Sequence, residues 1–291
     1  MNQISGILLD IDGVLYSQEK PVEGAVNAVN LIADEKIPFR CISNTTRKSA
    51  DAISKKLKGY GFSIPKSHII TPAAAVSKIL FEMDIKRCFF LVTGDVTDDF
   101  SDAGLISDEI NPQAVVVGDA GDNFSYEKLN RVFRILIDDS ENFDEKSDEK
   151  SDEKSDENLG LNSDVIKKSP EKLFFALEKD IYWMDADGLS LSAGPFVKCL
   201  EYASEKEAVL VGKPSKAFFN SALSSLGTSP PETLMIGDDI ISDVGGAKKS
   251  GMRAALVKTG KFREDKLKAS GIAPDYILNS VADLPEILGI K

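Results

Sequence analysis

Leu8-Leu9-Asp10-Ile11-Asp12-Gly13-Val14-Leu15 is the end of an apolar run, where two carboxylates two residues apart meet a glycine turn. The run entering it, Ile7 to Ile11, has the length and composition of a buried strand. Residues i and i+2 of an extended chain face the same side, so Asp10 and Asp12 are delivered together. Like charges held that close do not both ionise easily. One pKa should rise, and the pair can divide into an ionised partner and a proton donor or acceptor, a balance that a divalent metal would change. Aspartate is also common where a strand turns, so the pair alone leaves a structural and a chemical reading open.

Outward from this segment, strand-like runs recur at Pro38 to Ile42, Cys88 to Val92, Ala114 to Val117, Ala208 to Val211, Thr233 to Ile236 and Ala254 to Val257. Between many of them lie helix-length segments with apolar residues every three or four positions: Val22 to Glu35, Lys48 to Tyr60, Lys216 to Leu226 and Ile241 to Ser250. Alternating strands and helices predict a parallel α/β sheet covered on both faces. Ligands bind such sheets at the carboxyl ends of the strands, so the residues after each run are read first.

The second run ends Ser43-Asn44-Thr45-Thr46. Its hydroxyls and amide suit a phosphate oxygen beside a helix N-terminus, or serve as helix caps. A later run is followed by Gly212-Lys213-Pro214-Ser215, where Lys213 can neutralise a phosphoryl group or stand as an ordinary solvated lysine. The next enters Gly237-Asp238-Asp239-Ile240-Ile241-Ser242-Asp243, three carboxylates at one strand end. Oxygen-only ligands of this kind suit magnesium.

Composition narrows the chemistry. At 291 residues the chain fits one large or two modest domains. A net charge of −12 is the wrong sign for a nucleic-acid backbone or an anionic membrane. Three dispersed cysteines, Cys41, Cys88 and Cys199, form no C-x-x-C pair. The first residues lack the pattern of a signal peptide, and no apolar run approaches the roughly 20 residues of a membrane span. The expectation is a soluble, cytoplasmic protein. Its single histidine, His68, reads as a linker residue and disfavours a Ser-His-Asp triad or a multi-histidine metal site. Carboxylates, lysines, hydroxyls and backbone must carry the chemistry.

Residues 144–157 read DEKSDEKSDEKSDE, with no apolar side chain to pack. From Asp138 to Glu157 there are eleven acidic and three basic side chains, so most of the net acidity is local. Like charges recur at i,i+4, which disfavours an isolated helix. The stretch reads as a disordered surface insertion, or alternatively as a tail that attracts cations or docks a partner.

The four strand ends in the order D-x-D-G, S-N-T, G-K-P and G-D-D-x-x-x-D make the chain resemble the haloacid dehalogenase superfamily of aspartate-nucleophile phosphotransferases, from Gly6 to about Leu284. Within it the chain is similar to the branch with a large cap between the second and third motifs, which includes 4-nitrophenyl phosphatase-like enzymes. Closer still is the phospholysine phosphohistidine inorganic pyrophosphate phosphatase branch. The segment Asp187-Gly188-Leu189-Ser190-Leu191-Ser192-Ala193-Gly194-Pro195-Phe196-Val197 supports that placement. The resemblance implies a Rossmann-like doubly wound core in two parts, residues 1–70 and 195–291. An α/β cap over 71–194 would carry the acidic insertion at about 138–170, and cap strands fall near Phe89 to Val92, Val115 to Gly118, Phe174 to Leu177 and Tyr182 to Met184.

It further implies a phosphatase acting on a small phosphorylated metabolite. Asp10 would be the nucleophile and Asp12 the general acid and base. Magnesium would be held by Asp10, Asp238 and the Asp12 backbone carbonyl. Ser43 and Lys213 would bind the phosphoryl oxygens, with Asn44 and the N–H groups near Gly13 and Thr45 completing the cradle. Asp243 would orient Lys213 or a metal-bound water, and Asp239 would cap the following helix. Substrate contacts are expected from Tyr182-Trp183-Met184-Asp185-Ala186-Asp187, although core packing competes for Trp183 and Met184. A homodimer is compatible with the resemblance. Competing readings are a receiver-like phosphoacceptor module, disfavoured because the paired acids lie on the first strand, and a catalytically weak scaffold binding a protein through the cap and acidic loop.

Overall fold

The computed structural model describes residues 4–137, 172–185 and 188–290. The acidic repeat therefore lies outside the described residues, as do Ala186 and Asp187 of the segment expected to touch substrate.

A six-stranded sheet forms the core, in the order Tyr276–Leu278, Arg253–Val257, Thr233–Gly237, Gly6–Asp10, Phe39–Ile42, Ile69–Ile70. Every neighbouring pair is parallel. Gly6–Asp10 lies near the centre with all its residues buried, as expected of a parallel strand covered on both faces. Leu8 packs on one face with Phe218, Phe219, Met235 and Leu256. Ile7 and Leu9 pack on the other with Val29, Ile32 and Leu57. The helix Ala25–Asp34 supplies that second face through Ala25, Ala28, Val29 and Ile32, spaced as one helical stripe. From the central strand the chain proceeds to Phe39–Ile42 on one side, and Thr233–Gly237 lies on the other. The strand order reverses here and opens a crevice at the carboxyl ends.

A second, five-stranded parallel sheet belongs to the inserted unit, in the order Val209–Leu210, Leu173–Ala176, Ala114–Val117, Arg87–Leu91, Ile106–Ser107. One face packs Phe89, Val115, Val117 and Phe174 against Val132 and Leu136 of the helix Tyr126–Ile137 and Val197 and Leu200 of the helix Ala193–Ser204.

Three features differ from the sequence expectation. Val209–Leu210, read as a strand of the second core part, pairs with Phe175 and Ala176 of the inserted sheet. Together with the helix Ala193–Ser204, it carries that unit past the expected 194/195 boundary. A strand two residues long has no periodicity to say which sheet it joins, and the burial of Ala208 beside Ala193 and Val197 settles it. Tyr182–Asp185 forms a separate antiparallel ribbon with Gly188–Leu191 instead of joining the sheet. The expected helix Ile241 to Ser250 is a wide turn over Ile240–Gly245 followed by a short helix, Gly246–Lys249. Among the described residues no helix is long and apolar enough to cross a membrane.

Candidate active site

Asp10 ends the central strand and is 6% exposed. Lys213, 203 positions later, places its Nζ 2.5 Å from Asp10 Oδ1 and 2.7 Å from Asp243 Oδ1. Carboxylate oxygens of Asp10, Asp238 and Asp243 lie within 4.8 Å of one another, and all three residues are buried. Three acids around one ammonium leave an excess of negative charge with little water to solvate it. Burial therefore pushes the Asp10 pKa well above the usual carboxylate range; Lys213 opposes the shift, and Asp243 and Asp238 add to it. Burial and the Asp243 charge push Asp238 up to about 7, against the Lys261 backbone N–H and the Lys261 and Lys213 charges. Lys213 shifts upward, because Asp10 and Asp243 outweigh the burial that would otherwise lower it.

Local sequence explains the closeness. Gly13 has φ 85°, and a Cβ there would lie 1.9 Å from Asp238 Oδ2. A Cβ on Gly260, whose φ is 59°, would lie 2.0 Å from the same oxygen and 2.6 Å from Gly13 Cα. Two stretches of backbone thus close on the Asp238 carboxylate where no side chain fits. Lys261 N donates to that Oδ2 at 2.7 Å. Beneath it, the wide turn closes with Val244 N donating to Asp239 O at 3.2 Å. The turn folds Asp243 back toward its own strand, where Oδ2 accepts from Asp238 N at 3.2 Å and Asp239 N at 3.1 Å. Extra-wide turns of this kind concentrate at functional sites. Asp239 caps the turn, its Oδ1 accepting from Ile241 N and Ser242 N at 2.8 and 2.9 Å.

Ser43 is buried, and its Oγ accepts from Thr45 N at 3.1 Å, leaving its own O–H to donate elsewhere. The stretch from Ser43 to Thr46 does not cap the following helix. That helix is Ala50–Gly59, capped by Ser49 Oγ accepting from Ala52 N at 3.2 Å. Its N-terminal N–H groups also meet Asp95 and Asp99 of the inserted unit, at 2.8 Å from Ser49 N and 3.0 Å from Ala50 N. Asn44, expected in a phosphate cradle, uses both ends of its amide on Lys213. Its Oδ1 accepts from Lys213 N at 2.7 Å, and its Nδ2 donates to Lys213 O at 3.0 Å. Asp12 is exposed, and with burial its charge raises the pKa of the Tyr16 hydroxyl. Besides burial, the charges that shift Asp10 most are those of Lys213, Asp243 and Asp238. The strand stops at Asp10, and Asp12 follows two residues on, where it bridges to Tyr16.

Sequence reading passed over Lys261 and Asp180. Lys261 follows the strand Arg253–Val257, and Asp180 follows Leu173–Ala176, so the strand-end rule applied there would have found both. Two further contacts tie the inserted unit to the loop after Ser43. Arg47 pairs with Asp119 through Nε at 2.8 Å and Nη2 at 2.9 Å and lies over the Trp183 ring. Thr46 Oγ1 accepts from Asp119 N at 2.8 Å.

The donor set of Asp10 and Asp238 is all oxygen and fits a hard divalent cation such as magnesium. Asp243 is already engaged by Lys213 and two backbone N–H groups.

Residues 7–106 match the profile of haloacid dehalogenase-like hydrolases, and residues 210–284 match a HAD-hydrolase-like profile. Phospholysine phosphohistidine inorganic pyrophosphate phosphatase of Xenopus laevis is 35% identical, over 99% of this chain and 95% of its own length. Haloacid dehalogenase-like hydrolase domain-containing protein 2 of Bos taurus is 34% identical, over 91% of this chain and 89% of its own. Among solved structures, a p-nitrophenyl phosphatase from Archaeoglobus fulgidus superposes with a TM-score of 0.82 at 23% identity, covering 99% of this chain and 100% of that one. NagD from E. coli K-12 superposes with a TM-score of 0.79 at 21% identity, covering 97% and 98%. These two likenesses bear on the fold: a doubly wound parallel core with an inserted α/β cap.

Proposed function

This chain belongs to the haloacid dehalogenase-like hydrolase family and is a phosphatase of it; from that premise we propose that it hydrolyses a small phosphorylated metabolite in the cytoplasm, through an aspartyl phosphate on Asp10 and with magnesium. A phosphomonoester, a pyrophosphate or a phosphoamidate fits this chemistry. The observation that carries the reading is the buried Asp10 carboxylate at the end of the central strand, with the Lys213 ammonium 2.5 Å away and Asp238 beside it.

In the first step an Asp10 oxygen attacks phosphorus as the bond to the leaving group breaks, and Asp12 gives its proton to the leaving atom. In the second, water attacks the aspartyl phosphate and Asp12 takes its proton. Inorganic phosphate then departs and the Asp10 carboxylate is regenerated. Lys213 and the Ser43 hydroxyl bind the charge on the transferring oxygens. Asn44 and Asp243 hold Lys213 in place from its main chain and its ammonium respectively. Asp10, Asp238 and the Asp12 carbonyl are the groups that would hold magnesium, which when bound screens the nucleophile from the phosphate and stabilises charge on its equatorial oxygens.

The test is phosphate release from a panel of phosphoesters, pyrophosphate and phosphoamino acids, with magnesium or EDTA, for the wild type and Asp10→Asn. Magnesium-dependent release abolished by the substitution is the expected result. No release from any substrate with magnesium would refute the proposal.

A further inference from the structure

We infer that Asp180 is a specificity-determining residue of this phosphatase site, favouring phosphorylated compounds whose leaving group carries an ammonium over those whose leaving group carries a second anion. The inference rests on the phosphatase reading above and adds to it what lies beyond the scissile bond.

Asp180 is brought to the crevice by strand pairing. Where Leu173–Ala176 and Val209–Leu210 run out together, Val211 N donates to Ala176 O at 2.8 Å and Gly212 N to Leu177 O at 3.0 Å. A Cβ on Gly212 would stand 2.3 Å from Leu177 O, so the two chains touch immediately before Lys213. The segment from Glu178 to Asp180 therefore emerges alongside the lysine turn.

That segment is fastened. Glu178 is buried, its Oε1 accepting from Ser192 Oγ at 2.6 Å and Ala193 N at 3.0 Å and its Oε2 from Asp180 N at 2.5 Å. Asp180 O accepts from Gly194 N at 2.9 Å, and a Cβ on Gly194 would lie 2.6 Å from that oxygen. With its main chain clamped on both sides, Asp180 is an exposed residue beside the Lys213 turn, near enough for the Lys261 and Lys213 charges to act on it. Among the described residues it enters no ion pair. Lys179 is turned away, its Nζ 2.6 Å from Glu201 Oε1 and 2.9 Å from Ala208 O, and Arg47 is taken by Asp119.

Burial raises the Asp180 pKa, and among the charges that act on it Lys261 and Lys213 lower it while Asp239 and Asp243 raise it. Lys261 in turn faces Asp180, Asp238, Asp10 and Asp239. Carboxylates outnumber ammoniums around this mouth. A phosphoryl dianion balanced by a divalent cation adds no net charge, so the excess remains for the leaving group. A cationic leaving group enters a favourable field, and a carboxylate or second phosphate an unfavourable one. Solvent screens the exposed carboxylate, which limits the discrimination to about tenfold per unit charge.

Three substrates of similar size test this: 2-aminoethyl phosphate, ethyl phosphate and carboxymethyl phosphate. The kcat/KM of each is measured with magnesium for the wild type, Asp180→Asn and Asp180→Lys. The expected wild-type order is aminoethyl over ethyl over carboxymethyl. The aminoethyl-to-carboxymethyl ratio should fall about tenfold in Asp180→Asn and further in Asp180→Lys. A merely structural role would lower all three substrates together and leave the ratio in place. A ratio within about twofold of wild type in both variants, or a wild-type preference for carboxymethyl phosphate, would overturn the inference alone. If the wild type released phosphate from none of these nor from 4-nitrophenyl phosphate, the phosphatase reading would fail first and this inference with it.

Discussion

Replacing Asp243 by asparagine removes one charge from the most buried part of the site while keeping its shape. The residue is fully buried and its carboxylate serves two faces at once: Oδ1 meets the Lys213 ammonium at 2.7 Å, and Oδ2 accepts from two backbone N–H groups at 3.2 and 3.1 Å. An amide cannot satisfy both. Either its NH2 faces the Asp238 and Asp239 N–H groups and both bonds are lost, or it faces the ammonium and donor opposes donor. Breaking a buried pair costs about 3–5 kcal/mol. Lys213 keeps Asp10 at 2.5 Å, which places the expected loss at the lower end, about 3 kcal/mol, or roughly 5–10 °C in melting temperature. Because the Asp243 charge raises the pKa of both Asp10 and Asp238, its removal also lets both ionise more readily. Activity should still fall about 100-fold in kcat/KM, since an ammonium freed from one of its two anchors no longer meets the transition state in fixed geometry. Thermal unfolding and steady-state phosphate release measure the two effects. A variant melting within about 1 °C of wild type and retaining kcat/KM within about threefold would show that Asp243 does not hold the lysine.

Gly260→Ala would put a Cβ 2.0 Å from Asp238 Oδ2 at a residue whose φ is 59°. The carboxylate must move, so turnover should drop by about two orders of magnitude with about 1–2 kcal/mol of strain, and wild-type kcat would contradict the packing described here. Asp275→Ala probes pH dependence away from the site. Burial raises the Asp275 pKa, but Lys248 at 2.8 Å and the Ala254 N–H at 2.8 Å lower it further, to a net value below the usual aspartate range. A depressed folded pKa gives stability that is present above the unfolded value and lost as pH falls through the folded one. The substitution should cost about 1 kcal/mol at pH 7, reduced by partial exposure of the pair. The difference should shrink below about pH 4, and urea titrations giving the same difference at both ends would refute it.

The motif residues were legible because each follows an apolar run at a strand end, and the crevice gathers Asp10, Lys213 and Asp238 from three such ends. Ile69–Ile70, Ile106–Ser107 and Tyr276–Leu278 were not, being too short for a period-2 signal. The role of Asn44 was hidden for a different reason. Its partner is the main chain of a residue 169 positions away, and no local pattern distinguishes an amide that binds substrate from one that binds backbone. Asp12 lies two positions beyond the last strand residue, so only its spacing from Asp10 marks it in the sequence. Glu178 and Asp180 depended on which sheet received Val209–Leu210, a choice made by tertiary burial.

Lys213 sits where the chain crosses from one sheet to the other. Just before it Val209–Leu210 is laid on the inserted sheet, and just after it the helix Lys216–Leu226 drives Phe218 and Phe219 into the core of the first. Asp10 belongs wholly to the first sheet, while the lysine beside it takes its position from both. The distance between the Lys213 ammonium and the Asp10 carboxylate is thereby set by how the two sheets are joined, and not by either sheet alone.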